Sequence, residues 1–273
     1  MGLLLREKLG FVGAGALAAG LIRGILQAGL VPAGNIMVTN RGNGERLRRL
    51  AAETGVVPCS KAELAGAADV VFLAMKPQDL PGAVAELAGL LGPGQRVISL
   101  AAGVSLAFLE ARLPGRTLLR AMPNTSCRVG ASATAVALGK GAGTAEAELA
   151  RCLFAAVGRV VLVPEEQMDA VTGLSGSGPA YVYLLTEALT AAGVGQGLDA
   201  AVARALAVQT VWGAGKMLVE TGEAPEILRR QVTSPGGTTM AGVGALEEGG
   251  FQRLVDEAVR RAAVRSRELG VGV

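Results

Sequence analysis

Leu9-Gly10-Phe11-Val12-Gly13-Ala14-Gly15-Ala16-Leu17-Ala18 is the stretch that decides the fold of this chain. Leu9–Val12 is a short apolar run of the kind that forms a buried strand, and from Ala16 to Ala28 the apolar residues recur at helical spacing. Gly13-x-Gly15-x-x-Ala18 joins the two. In a strand–turn–helix of this pattern the first glycine permits the tight turn, the second lets a ligand approach the backbone, and the small third position lets helix pack on strand. The helix N-terminus then offers free N–H groups to a diphosphate. A packing turn in an unrelated sheet is the other reading that this motif alone leaves open. Arg6 and Lys8 ahead of an apolar run also resemble the start of a secretory signal, but cleavage near Ala16-Leu17-Ala18 would destroy the turn.

Outward from this stretch the pattern repeats. Asn35–Thr39, Val70–Ala74, Val97–Leu100 and Leu118–Ala121 read as further buried strands, with Ala131–Leu138 and Val160–Val163 as two more. Between them 45–54, 81–91, 105–112 and 145–156 read as helices, which implies a mostly parallel sheet covered on both faces. After Pro164 the strand signal stops. The segments 180–192, 200–220, 225–232, 241–248 and 252–269 carry apolar residues three and four apart. The expected fold class is therefore α/β: a Rossmann-type domain over residues 1–164, then an all-helical domain over 165–273. The long Ala/Val-rich helix has few charges before Lys216 and needs burial on most sides, which points to a second subunit.

Composition narrows the function. The chain is 51% hydrophobic and 18% charged, so it is globular, and a net charge of +3 from scattered arginines makes no basic stripe. With two Tyr, one Trp and five Phe there is little for bases to stack on, so nucleic acid is not an expected partner. No window supplies the roughly 20 apolar residues of a membrane helix. Cys59, Cys127 and Cys152 are far apart and there is no histidine, which argues against a disulfide framework or a metal site and for reduced thiols in a cytoplasmic protein.

Several strand ends carry the candidate site. After the second strand Asn40-Arg41 stands where an acidic residue usually accepts from an adenosine ribose; a neutral residue followed by arginine favours a 2′-phosphate, hence NADPH over NADH. Arg41 as a solvated helix-start charge is the alternative. Ala74-Met75-Lys76-Pro77, Ala101-Ala102-Gly103 and Met122-Pro123-Asn124-Thr125 end three further strands on the edge where such sheets bind ligands. In the second half, a Gly/Ser cluster around Ser177 precedes a helix, either as a site or as a hinge. The segment Thr233-Ser234-Pro235-Gly236-Gly237-Thr238-Thr239 crowds glycines and hydroxyls into one loop whose N–H groups suit a small carboxylate.

Taken together, Gly10 to Gly15, Ala74 to Pro77, Ala121 to Thr125, Leu174 to Tyr181 and Ser234 to Thr239 resemble the pyrroline-5-carboxylate reductases over nearly the whole chain. The resemblance implies NAD(P)H-dependent reduction of a cyclic imine, 1-pyrroline-5-carboxylate, to L-proline. It implies a helical domain that interlocks with a neighbour to form a homodimer, often assembled into decamers. Gly13, Ala14, Gly15, Ala16, Leu17, Ala74, Met75, Lys76, Pro77, Ala101, Ala102 and Gly103 would line the cofactor. Ser177, Ser234, Gly236, Gly237, Thr238, Thr239 and Asn124 would hold the substrate, with the Thr239 hydroxyl beside the ring nitrogen as the catalytic group. Ser126-Cys127 departs from the family, which usually places Pro after Thr125. A β-hydroxyacid dehydrogenase would instead use a helix-borne lysine, but Lys216 has Glu220, not Asn, four residues on.

Overall fold

The computed structural model describes residues 6–42 and 44–271, so the outermost residues of both expected domains lie outside it. Its strands are β1 Leu9–Val12, β2 Ile36–Thr39, β3 Val57–Pro58, β4 Val70–Leu73, β5 Arg96–Ser99, β6 Thr117–Met122, β7 Ser132–Leu138 and β8 Gly158–Leu162. They form one sheet in the order β3-β2-β1-β4-β5-β6-β7-β8. Among the described residues only the β6–β7 pairing is antiparallel. The chain moves from β1 to β2 on one side and returns to β4 on the other, so a crevice opens beyond the carboxyl end of β1.

Period-2 alternation sorts the strand side chains onto two buried faces. Phe11, Val38, Phe72, Ile98, Leu119 and Val136 face one core, shared with helices α1 (Ala16–Gln27) and α6 (Thr144–Ala155). Val12, Val71, Leu73, Val97 and Leu118 face the other, shared with α4 (Leu80–Ala88) and α5 (Leu106–Arg112). In α1 the buried positions Ala18, Leu21, Ile22 and Ile25 follow the helical 3–4 spacing onto the first core. Phe11 and Phe72 stack with centroids 4.4 Å apart, and Phe154 meets Phe72 edge-on at 6.2 Å.

Two elements between α2 (Gly44–Thr54) and β4 were not expected from the pattern. One is the two-residue edge strand β3; the other is α3 (Lys61–Ala67). The helix starts on a reciprocal cap: the Glu63 N–H donates to Ser60 Oγ (3.2 Å), and the Ser60 N–H donates to the Glu63 carboxylate (2.8 Å). Leu64 of α3 fills the space over Gly10, where a Cβ would lie 2.5 Å from its Cδ2. That is why a glycine stands inside β1.

The chain divides into two compact units, residues up to 177 together with 260 onward, and residues 178–259. The segment just after Pro164 therefore packs in the sheet unit. Helix α7 (Met168–Val171) buries Met168, and the Gly/Ser cluster continues it as a π-helical turn, Thr172–Gly176, rather than forming an open loop. Buried Arg120 of β6 pairs with Glu165 (3.4 Å) and Asp169 (3.7 Å), and Asp169 accepts from Ser266 Oγ (2.6 Å). Burial lowers the Arg120 pKa and the two carboxylates oppose that.

The second unit holds α8 (Gly178–Gly195), α9 (Ala200–Thr221), α10 (Pro225–Gln231), α11 (Thr238–Glu248) and the first part of α12 (Phe251–Val271). Asp199 caps α9 through the Ala201 N–H (2.8 Å), and Gly193 of α8 sits against Ala203. Among the described residues of this unit only Ala203 and Ala207 are buried, while Leu184, Leu206, Trp212 and Val219 are each more than half exposed. A helix this apolar with so little covered is incomplete by itself.

Candidate active site

At the end of β1 the Gly13 N–H donates to the Thr39 carbonyl (2.8 Å) and the Ala74 N–H to the Val12 carbonyl (2.9 Å), locking the turn between β2 and β4. Gly13 has φ +118°, and a Cβ there would lie 2.4 Å from the Ala74 oxygen, so no other residue fits. Gly15 is different. It is the N-cap of α1 with φ −67° and ψ 174°, open to any residue, and a Cβ would meet nothing within 4 Å. No side chain caps α1 and its first turn carries no acid. The Ala16, Leu17 and Ala18 N–H groups thus have no partner within the helix. Open space over Gly15 beside an uncapped helix end is the fit that a diphosphate requires.

Two cavities flank this turn. One, about 230 Å³, is lined by Val12, Gly13, Thr39, Asn40, Arg41, Gly42, Lys61, Met75, Asp79 and Ala83. The other, about 220 Å³, is lined by Ala14, Gly15 and Ala16 together with Arg23, Arg46, Arg49 and Arg128. Of the expected cofactor residues, Gly13 to Ala16, Asn40, Arg41 and Met75 are thus brought together. Lys76 caps the 3-10 turn Pro77–Asp79 beside the first cavity. Ala101 is buried at the end of β5. Gly103 answers to its own backbone, at φ +77°, and to packing: a Cβ there would lie 2.2 Å from the Ser266 carbonyl of α12. Lys61 and Arg128 were not foreseen. Lys61 sits on the missed helix, and Arg128 follows Asn124 in sequence by four residues with no pattern of its own.

Asn124 is buried with its amide engaged at both ends. Its Oδ1 accepts from the Ser126 N–H (3.1 Å), and its Nδ2 donates to the Ser175 carbonyl (2.9 Å). Its backbone N–H donates to Ser132 Oγ (3.1 Å). It ties the end of β6 to the π-helical turn. Ser177 follows that turn, its N–H donating to the Thr172 carbonyl (2.9 Å).

The other expected loop lies in the helical unit. The Gly237 N–H donates to the Ser234 carbonyl (3.0 Å), closing a β-turn with Pro235 second and Gly236 third at φ +68°, the signature of a type II turn. Gly237 then serves as the N-cap of α11 without a side-chain bond, so Thr238 and Thr239 are the first two residues of that helix. The helix begins three residues earlier than the apolar pattern indicated at Ala241. The turn delivers an uncapped helix end, flanked by the Ser234, Thr238 and Thr239 hydroxyls, which suits a carboxylate.

The cysteines are free, and burial is the main cause raising each thiol pKa, so none is poised as a nucleophile. A larger groove of about 730 Å³ lies on α8 and α9, lined by Val182, Tyr183, Val208 and Trp212 among others. It carries little of the polar chemistry seen at the two loops.

Comparison with known proteins decides the family. Residues 165–269 match the family model described as pyrroline-5-carboxylate reductase dimerisation, and residues 8–103 match that of NADP oxidoreductase, coenzyme F420-dependent. Pyrroline-5-carboxylate reductase 1 of Bacillus spizizenii is 44% identical over 97% of this chain and 90% of its own length. The Methanosarcina acetivorans pyrroline-5-carboxylate reductase is 42% identical over 97% and 98%. The chain belongs to the pyrroline-5-carboxylate reductase family. Among solved structures, a Coxiella burnetii pyrroline-5-carboxylate reductase superposes with a TM-score of 0.91 at 36% identity, covering 97% of this chain and 99% of that one. A Plasmodium falciparum pyrroline carboxylate reductase with NADP bound gives 0.87 at 29% identity, covering 98% and 99%. As a member of this family the chain is an oxidoreductase, and its exposed apolar helices fall in the segment that matches the dimerisation model. Among the described residues no helix is long and apolar enough to cross a membrane.

Proposed function

We propose that this chain reduces 1-pyrroline-5-carboxylate to L-proline, the last step of proline synthesis, with NADPH preferred over NADH. The observation that carries this reading is a pair of uncapped helix ends, α1 behind Gly15 and α11 behind Gly237, in a chain without histidine. One suits the diphosphate of a dinucleotide and the other a small carboxylate. When bound, the dinucleotide supplies hydride. Gly13 to Leu17 would hold its diphosphate, Asn40 and Arg41 would take its adenosine ribose, and Ala74 to Pro77 with Ala101 and Ala102 would line the rest of it. Asn124 would shape that lining.

The chain's own part in the chemistry is positioning. The N–H groups at Thr238 and Thr239, with Ser234 and the turn glycines, grip the substrate carboxylate. Such a grip fixes the orientation of the ring, and orientation of this kind can supply much of a rate enhancement. The Thr239 hydroxyl orients the ring nitrogen and relays the proton that nitrogen carries in the product. A cyclic imine can itself be protonated, and the iminium accepts hydride better than the neutral imine. A histidine acid is therefore unnecessary.

The working form is a homodimer interlocked through the helical unit, which can assemble further into a decamer. Its free thiols suit the cytoplasm. Steady-state kinetics on pyrroline-5-carboxylate with each cofactor is the test. Cofactor binding without consumption in the presence of the imine refutes the reading.

A further inference from the structure

The geometry points to Lys61, with Arg41, as the pair of cations that recognises a 2′-phosphate at the end of β2, and to Glu86 as the carboxylate that occupies the lysine until that phosphate binds. The inference deepens the proposed NADPH preference and rests on it.

Lys61 and Arg41 come from different elements. Arg41 lies just after β2 and Lys61 is the first residue of α3, yet both line the 230 Å³ cavity with Asn40 and Gly42. Lys61 is held in place: it opens a capped helix, its side chain is only 19% exposed, and its Nζ pairs with Glu86 of α4. Arg41 is far looser at 74% exposed, with Asp79 3.8 Å away. The two cations share one field. Glu86 is held below the usual carboxylate range first by its hydrogen bond from Lys61, then by the Lys61 charge, and also by the charge of Arg41. Arg41 keeps its own carboxylate, Asp79, and the anion that pairs with Lys61 beside the cavity is Glu86.

A phosphate dianion can replace that carboxylate with more charge and more acceptor oxygens. A neutral 2′-hydroxyl offers the cations nothing comparable. The ammonium of Lys61, a compact three-donor charge on a partly buried stem, gives discrimination that the mobile Arg41 cannot give alone.

The test is titration of the full-length protein with NADPH and with NADH, without imine, so that it reads binding independently of the reaction. Lys61→Ala is expected to weaken NADPH about ten- to a hundred-fold, the range for a lost charge-assisted contact, and to leave NADH within about twofold. Lys61→Arg should retain most of the NADPH affinity. Glu86→Gln, which frees the lysine, should strengthen NADPH a few-fold, on the order of an exposed ion pair, with NADH unaltered. An unchanged NADPH affinity in Lys61→Ala overturns the assignment. So does an equal loss for both dinucleotides, which a merely structural lysine would give. A chain that binds as stated yet turns over no imine would leave this inference standing and remove the proposed reaction.

Discussion

Gly15→Ala separates ligand space from folding. In the folded chain Gly15 has φ −67° and ψ 174°, and a Cβ meets nothing within 4 Å, so the substitution introduces no clash. Two small terms then decide stability. Alanine is a poorer N-cap than glycine by roughly 0.5–1 kcal/mol, whereas losing glycine's freedom in the unfolded chain returns about 0.4–1 kcal/mol. They offset to within about 0.5 kcal/mol, or about 1–2 °C in Tm for a chain of this size. The ligand side is not balanced. The methyl group fills the space over the uncapped N–H groups, and displacing a diphosphate from one or two charge-assisted bonds costs roughly 1.5–3 kcal/mol each, or at least about tenfold in Kd. The assay is differential scanning fluorimetry without nucleotide, paired with a nucleotide titration. An affinity unchanged within about twofold in a protein of unchanged Tm refutes the reasoning, and so does a Tm that collapses, since Gly15 would then be structural.

Other substitutions test the remaining links. Thr239→Ala should lower turnover by about ten- to a thousand-fold with the fold intact, and Thr239→Ser should recover most of it, as measured by stopped assays of proline formation. Leu206→Glu places a charge on the exposed apolar face of the helical unit and should shift the species measured by light scattering towards monomer; an unaltered mass removes that face from the dimer. Ser60→Ala removes the cap of α3 and should cost about 1 kcal/mol in urea unfolding, with a modest loss of NADPH affinity because Lys61 follows it.

The sheet was legible in sequence because its strands are buried on both faces and bounded by turn residues. Leu9–Val12 and Val70–Leu73 are near-continuous apolar runs, and no helix pattern competes with them. Edge strand β3 was not legible: it has two residues, both exposed, one of them Pro58. Helix α3 could have been found, since Ser60-x-x-Glu63 is a capping box, but seven residues with two buried give almost no periodic signal. The start of α11 was hidden for another reason. Glycines and threonines score against a helix, yet the turn at Ser234 hands Thr238 a ready N-cap, and geometry overrides propensity. The same blindness covers Lys61, which reaches the cavity only through an element that the pattern did not reveal.

Three motif glycines look alike in sequence, but the folded chain requires only two of them. Gly13 is fixed by its positive φ together with the Ala74 carbonyl, and Gly103 by its own positive φ of +77° together with the close passage of α12 at Ser266. Only Gly15 has neither constraint, so nothing inside the folded chain requires a glycine there. A residue that folding does not demand, set over unpaired helix N–H groups, is explained by something that arrives from outside. The same argument applies at the second helix end only in part. Gly236 is required by its positive φ, and a Cβ at Gly237 would lie 2.5 Å from Ser234 Oγ, a hydroxyl that can rotate away. The loop at Ser234 is therefore built first as a turn, and the uncapped start of α11 follows from where that turn ends. The turn after β1 keeps at Gly15 a vacancy that folding alone would not maintain.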